Sequence, residues 1–483
     1  MIRRCEFARA LALIERSGVH TDLEELLRPP GKGGAPRQLR VEVFLAAALT
    51  AVHHKKTLSL VNIHQVLTRD LARSYQTALG VRVHGEAISI RQVRYLLEAI
   101  ERKLAHTQGR RPDLADADRA ERREALQNIM DKLLAATMPA HLPTHGRYAV
   151  DATAIESAAR GKRSNRAAET AESLAVAAAE NQASDDDIDA AALEGGRAFD
   201  PDARWGYRTK TYDNRTSSCF GYQVIAYTRI KPSRWDTDEP LLTERIAVVP
   251  ANASAIEPAL ALLDRLRTTG PTTPVEIAAD RGFSYAVEER WAYELRARGV
   301  DQVLDLHPND HGVRDFDGVK MIAGTPHCPA MPEDLVDIRR PAQLSAGKLK
   351  ANPTAREKAE HAAKVTALAT FQADIAKREV YAFRRVTGPD PTGKERYECP
   401  ARAGKIVCAH CPLSQNLPEG TPTVEDPPEA DTAPTACQQR TITVPGDVTP
   451  KLRQQLRWGS PEWITSFSRR THVEGGFGNL KNP

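Results

Sequence analysis

Gly146-Arg-Tyr-Ala-Val-Asp151-Ala152 marks the point at which the chain changes its period. Upstream, apolar residues recur at helical spacing; from here they come in short runs of the kind that form strands. Five such runs follow one another: 147–152 (RYAVDA), 220–227 (FGYQVIAY), 245–249 (RIAVV), 275–279 (VEIAA) and 302–306 (QVLDL). Between the third and fourth, Pro258 stands near the first helical position of a segment carrying Leu260, Leu263 and Leu266. Strands followed by helix–strand alternation predict an α/β unit built on a mixed sheet, over 146–310.

Two of those runs end on a carboxylate. Asp151 follows Tyr148-Ala149-Val150, and Asp280 follows Val275-Glu276-Ile277-Ala278-Ala279. A carboxylate half-buried on a central strand is costly unless something neutralises it, and a divalent cation does so. Two at the ends of neighbouring strands suit a pair of Mg²⁺ ions about 3.5–4 Å apart. The competing explanation is a turn residue or a helix cap.

Outward from this unit, residues 1–112 read as helical. Residues 41–52 (VEVFLAAALTAV) are apolar enough for a buried helix. Ser89-Ile-Arg-Gln92 has the capping-box form, with Val93, Leu96, Leu97, Ile100 and Leu104 behind it at helical spacing. Arg91 and Arg94 then lie near the start of that helix, where a recognition helix presents side chains to a DNA groove; solvated arginines are the plainer alternative. A linker helix within 113–145 carries Leu126, Ile129, Met130, Leu133 and Leu134 and stops before Pro139. Residues 160–200 have few large apolar side chains and predict a mobile loop. An insertion at 311–440 shows no regular alternation, and its 416–436 stretch, rich in Pro, Glu and Thr, predicts exposure.

Bulk properties set the frame. At 483 residues the chain is too long for one small core. The net charge of +4 is unevenly spread: residues 1–110 carry 18 Lys/Arg against 10 Asp/Glu, and 438–483 carry 7 against 3. Two basic ends around an acidic middle suit a protein whose ends meet phosphates. No apolar run approaches the ~18 residues of a membrane span, and the opening residues do not form a signal peptide, so a soluble intracellular protein is expected.

The segment that narrows the reading is 441–483, and within it Phe467-Ser-Arg-Arg470-Thr-His-Val-Glu474-Gly-Gly-Phe477-Gly-Asn-Leu-Lys481. Arg470, Glu474, Phe477 and Lys481 step by four, three and four, which predicts one helical face with an acid between two cations. This run resembles the C-terminal signature of bacterial insertion-sequence transposases of the DDE type: an aromatic, then Arg, Glu and Lys. Asp280-Arg-Gly282-Phe-Ser-Tyr285 resembles their second-aspartate motif, Asp151 in VDAT their first, and 204–227 and Val249-Pro-Ala-Asn252 the segments between.

The resemblance implies an RNase H-like catalytic core with an N-terminal all-helical DNA-binding domain and a cysteine-bearing insertion. It implies metal-dependent DNA cleavage and strand transfer, with Asp151, Asp280 and Glu474 holding two Mg²⁺ or Mn²⁺ and Arg470 and Lys481 holding backbone phosphate. The partners implied are transposon terminal repeats and target DNA, bound by a homo-oligomer in the bacterial cytoplasm, at the nucleoid, with no membrane. Phe467 stands where Tyr is usual, and Gly475, Gly476 and Gly478 stand where a helix should run. The sequence ends two residues after Lys481, where relatives generally continue. That sets beside the active enzyme a truncated or decayed copy that only binds DNA; an RNase H-like nuclease is the third alternative.

Of seven cysteines, Cys399, Cys408, Cys411 and Cys437 fall within 39 residues. Cys408-Ala-His-Cys411 has the C-x₂-C spacing of a zinc knuckle, so the four are candidate ligands of one structural Zn²⁺, with His410 or Cys328 as substitutes. The alternative is a chance cluster in a loop. Gly388-Pro-Asp-Pro-Thr-Gly-Lys-Glu395 nearly spells a phosphate-binding loop, but two prolines remove the N–H donors such a loop needs. Gly31–Pro36 is expected to be a linker.

Overall fold

The structure is a computed structural model, and it describes residues 2–28, 37–139, 141–142, 145–159, 200–209, 216–231, 240–284, 286–411, 414, 417–429, 431 and 433–481. The 160–200 segment lies outside the described residues except for Asp200, and so do 31–36 and Tyr285. The architecture is mixed α/β. An N-terminal helical unit opens it, with helices Arg4–Ser17, Val19–Leu27, Val41–His53, Leu60–Gln65, Arg73–Ala78 and Ile90–Leu104 around a two-strand hairpin, β1 (Arg82–Val83) and β2 (Glu86–Ala87). The Ser89–Gln92 capping box is formed at the start of the last of these helices. Arg91 and Arg94 are exposed on it, whereas Val93 and Leu96 are buried; Leu97, counted with the apolar stripe, is 37% exposed.

The central sheet holds β3 (Arg147–Glu156), β4 (Arg204–Thr209), β5 (Thr216–Arg229), β6 (Thr243–Pro250), β7 (Glu276–Ala279) and β8 (Asp301–Val303). β3 pairs antiparallel with β5 on one side and parallel with β7 on the other, and β8 continues the parallel half. β4 takes the first half of β5 (Thr216–Gly221) and β6 the second (Tyr222–Thr228), so both share one edge of that long strand. The helix Ile256–Thr269 connects β6 to β7.

Strand alternation divides the sheet into two faces. Tyr148, Val150, Ile225, Tyr227, Ile277 and Ala279 point to one core, closed by Ile256, Leu260, Leu263 and Leu266 of that helix. Ala149, Ala226 and Ala278 point to the other. Those three small side chains leave room for the aromatics Trp463, Phe467 and Phe477 of the C-terminal helices Pro461–Ser468 and Thr471–Lys481.

The linker helix, Asp116–Thr137, ties the N-terminal unit to this sheet. Lys132 pairs with Asp22 at 2.6 Å, Gln127 Nε2 donates to the Ile246 carbonyl at 2.9 Å, and Asp131 accepts from Arg265 Nε at 2.6 Å.

The insertion is more regular than its sequence suggests. It contains a meander of β9 (Arg314–Phe316), β10 (Val319–Ile322) and β11 (Thr325–His327), then a 27-residue helix, Ala355–Tyr381. A second small sheet joins β12 (Arg384–Thr387), β13 (Glu395–Glu398) and β14 (Thr441–Val444). β14 carries the inserted unit past 440, because its backbone completes the ladder of β13. The phosphate-loop lookalike is the turn between β12 and β13, where Asp390 accepts from the Thr392 and Lys394 amides.

Candidate active site

Asp151 and Asp280 are brought side by side by the parallel ladder. Its last registered pair is Val150 with Ala279, so the next residue of each strand is the aspartate. Asp151 does not end its strand: β3 continues to Glu156 because β5 still pairs with it there. Asp280 does end its run, passing directly into the short helix Arg281–Ser284. By alternation Asp151 shares the face of Ala149, the face on which the C-terminal helices pack.

Glu474 arrives from the other end of the chain. Ser460 caps the helix Pro461–Ser468, accepting from the Trp463 amide at 3.1 Å. Trp463 is fully buried, stacks on Phe467 at 4.7 Å between centroids, and donates Nε1 to the Leu304 carbonyl at 3.2 Å. Ser466 Oγ donates to Glu276 at 2.6 Å, which fixes the helix beside β7. The chain breaks its helix at Arg469 and Arg470 and restarts at Thr471. Arg470 therefore does not belong to the same helix as Glu474, Phe477 and Lys481, contrary to the single helical face expected of the four. The break turns Arg470 inward.

Arg470 occupies the centre. Its Nη1 lies 2.7 Å from Glu474 Oε1 and 3.6 Å from Asp280 Oδ1, and its guanidinium carbon sits 5.5 Å from the Phe467 ring centroid. Burial works against its charge, but Asp280, Glu474 and Asp151 outweigh burial and raise its pKa. Asp151 is pushed up to about 6, first by burial and then by the adjacent Asp280; a hydrogen bond from the Ala152 amide at 2.7 Å and the Arg470 charge act in the opposite direction. The three carboxylates and the arginine thus form one electrostatic unit. It joins residues separated by more than 300 positions. Lys481 is the last turn of the final helix, and its side chain lies outside the described residues.

No family model, curated protein or solved structure matches the chain. An all-carboxylate donor set is hard-oxygen chemistry, which fits Mg²⁺ or Mn²⁺ better than a softer metal. Among the described residues no three His, Cys, Asp or Glu side chains are gathered closely enough to hold a metal ion as they stand. Here Arg470 lies between the acids and supplies the positive charge.

The cysteines of the insertion share a neighbourhood of their own. Cys328, Cys399, Cys408 and Cys411 line one small apolar cluster with Ala401, Ile406 and Val424. Burial, then the neighbouring Cys399 and Cys408, push Cys437 up to about 11. Burial pushes Cys328 up to about 12, with Cys399, Cys437 and Cys408 adding to it. No disulfide joins any of them. All four sequence-chosen cysteines share this neighbourhood, and Cys328, held as a substitute, belongs with them.

Two supports of the site escaped sequence reasoning. Asp305, 4% exposed, accepts from Arg340 Nε at 2.8 Å and from the Trp458 indole at 3.2 Å, bracing the segment that leads to Trp463. The Arg340 guanidinium also sits 5.8 Å from the Phe467 ring. The usable signal was Ser460-Pro461-Glu462-Trp463, a capped helix start with an aromatic five residues after Trp458.

Proposed function

We propose that this chain is a metal-dependent DNA phosphoryl-transfer enzyme, a transposase of the DDE type on an RNase H-like core. The observation that carries the proposal is the convergence of Asp151, Asp280 and Glu474 from three distant segments onto one face of the sheet. The strand order supports it: three antiparallel strands, β6, β5 and β3, continue into two parallel ones, β7 and β8, with Asp151 on the central strand.

Asp151, Asp280 and Glu474 would hold two Mg²⁺ or Mn²⁺, which supply an activated water or 3′-hydroxyl and stabilise the leaving oxygen when bound. Arg470 has a fork suited to a phosphodiester once the carboxylates no longer need its charge, and the resemblance would give Lys481 a phosphate-holding role beside it. Asp280 ends β7 at an open position, and the exposed Glu474 side chain leaves the site accessible to a polymer. The N-terminal helical unit, with exposed Arg91 and Arg94, would hold the terminal repeats through backbone phosphates while the element end, and then target DNA, meets the carboxylates. A homo-oligomer acting at the bacterial nucleoid, with a zinc-braced insertion, completes the proposal.

The test is cleavage of DNA carrying the flanking terminal repeats, in Mg²⁺ and in EDTA. Strand nicking should require Mg²⁺. It should vanish in Asp280→Ala, while repeat binding persists. Replacing Arg91 and Arg94 should weaken binding and flatten its salt dependence by up to ~0.9 log unit for each phosphate that is no longer neutralised. Cleavage that survives Asp280→Ala would overturn the assignment.

A further inference from the structure

The inserted unit contains a buried arginine that no acid among the described residues balances. Arg378, in the last turn of the helix Ala355–Tyr381, is 5% exposed and lines a cavity of about 470 Å³. Among the described residues no carboxylate pairs with it, and burial alone pulls its pKa down to about 10. The Trp458 ring, 5.5 Å from its guanidinium carbon, and the negative end of the helix dipole offset part of that burial. Neither uses the hydrogen-bonding fork.

The remaining charges of the cavity do not supply an anion. Glu379 is its one acid, and that carboxylate is committed to Arg457 and, at 3.3 Å, to Lys405. Arg457 also donates Nη2 to the Phe383 carbonyl at 2.7 Å. His327, 3% exposed, is held neutral: burial pulls its pKa down to about 3, and the Arg378 charge adds to the effect. Its Nδ1 bonds the Thr325 carbonyl at 2.8 Å. The cavity lining thus carries an excess of positive charge, and Ile322, Ile375 and Pro461 give it an apolar part. Its volume lies in the range of small-molecule sites, and a guanidinium fork matches a carboxylate or phosphate with two parallel hydrogen bonds.

We propose that this cavity is a binding site for a small oxyanion, whose carboxylate or phosphate takes the Arg378 fork while its apolar body lies against Ile322, Ile375 and Pro461. The site is separate from the carboxylates and does not depend on the DNA-transfer proposal. A buried charge kept without a partner lowers stability, and a ligand that brings the counter-charge restores it.

The experiment is thermal unfolding and calorimetry of the full-length protein without divalent metal, titrated with phosphate, acetate or benzoate against chloride at equal ionic strength. At least one oxyanion should raise the midpoint saturably, by about 2 °C or more, and chloride should not. Arg378→Met should lose that response and, without oxyanion, match or exceed the wild type in stability. Arg378→Lys keeps the charge without the fork, and should weaken oxyanion binding tenfold or more; it serves as the test if the methionine variant does not fold. Competition by a short DNA duplex would identify the anion as a strand phosphate, and its absence would indicate a free small molecule. No oxyanion effect beyond chloride, or an undiminished effect in the variants, would overturn the proposal. Neither outcome bears on DNA cleavage, which is read in a separate assay.

Discussion

Asp151 carries the least comfortable charge of the candidate site, and that discomfort can be measured. A carboxyl held up to about 6 binds its proton more tightly in the folded chain than in the unfolded one, where about 3.9 is usual. The stability contributed by that proton is complete below about pH 4 and is lost as pH rises through about 6. In EDTA, the stability of Asp151→Asn relative to wild type should therefore grow between pH 4 and pH 7.5, by on the order of 2–3 kcal/mol in denaturant unfolding. Parallel pH profiles for the two proteins would mean that Asp151 ionises freely. The two aspartates were legible in the sequence because each follows an apolar run, and Glu474 because its spacing to Arg470 and Lys481 is regular. The place of Arg470 between the acids was not legible. Helical spacing put it on the face of Glu474, whereas the chain breaks at Arg469–Arg470 and brings it in from a turn.

At the level of elements, the glycines of the last helix have a packing role that a propensity scale counts only as a cost. A Cβ on Gly475 would stand 2.6 Å from Leu241 Cδ1, and one on Gly476 would stand 3.5 Å from Thr243 Oγ1 and 3.7 Å from Thr228 Oγ1. The helix lies close on the strands there, while a Cβ on Gly478 would meet open space. Gly478→Ala should accordingly stabilise the protein by up to ~1 kcal/mol in thermal unfolding and leave cleavage unchanged. At Gly476 a Cβ already reaches contact with Thr228 of β5 and Thr243 of β6, so the longer branched side chain of Gly476→Leu should press on those strands and lift Glu474 from the aspartates, reducing Mg²⁺-dependent cleavage at least tenfold with repeat binding intact. Equal cleavage by both variants would show that close packing does not position Glu474. Five of the six sheet strands were legible because each contains an apolar run; β4, Arg204–Thr209, carries no such run and was not among them. The insertion was not legible: its strands are three or four residues long, and its long helix buries little beyond Phe371, Ile375 and Arg378. A metal bound by the cysteines would compensate for so small a core. Cys399, Cys408, Cys411 and Cys437 should bind one Zn²⁺ per chain in elemental analysis, since such a site contributes ~10–16 kcal/mol in small zinc peptides. Less than about a tenth of that occupancy, after purification without chelator, would reject the site.

The whole molecule depends on how its helical and sheet units are joined, and the join is electrostatic as much as apolar. The sequence made the linker helix legible through Leu126, Ile129 and Leu133, which pack on the N-terminal core. It did not reveal that the opposite side of that helix carries Asp131, which is 8% exposed and faces the central sheet and the helix behind it. Asp131 Oδ2 lies 2.6 Å from Arg265 Nε and 3.7 Å from Arg245 Nε, and its Oδ1 accepts from Gln127 at 3.0 Å. Arg245 is on β6 and Arg265 on the helix that leads to β7, so one carboxylate ties the linker to both elements. Removing it leaves two arginines facing each other, one of them nearly buried, and breaking such a pair costs about 3–5 kcal/mol. Arg265 is partly exposed, so the lower end of that range applies. Asp131→Ala should thus lower the denaturant midpoint and expose the 113–145 segment to limited proteolysis, releasing an N-terminal fragment of roughly the size of residues 1–112. The carboxylate site lies on the other face of the sheet, so Mg²⁺ should still protect the remaining core against heat. Asp131→Leu combined with Arg265→Leu and Arg245→Leu should recover much of the lost stability, because an apolar contact of similar volume replaces the buried charges. If Asp131→Ala keeps the wild-type midpoint and digestion pattern, the apolar stripe alone holds the two units together.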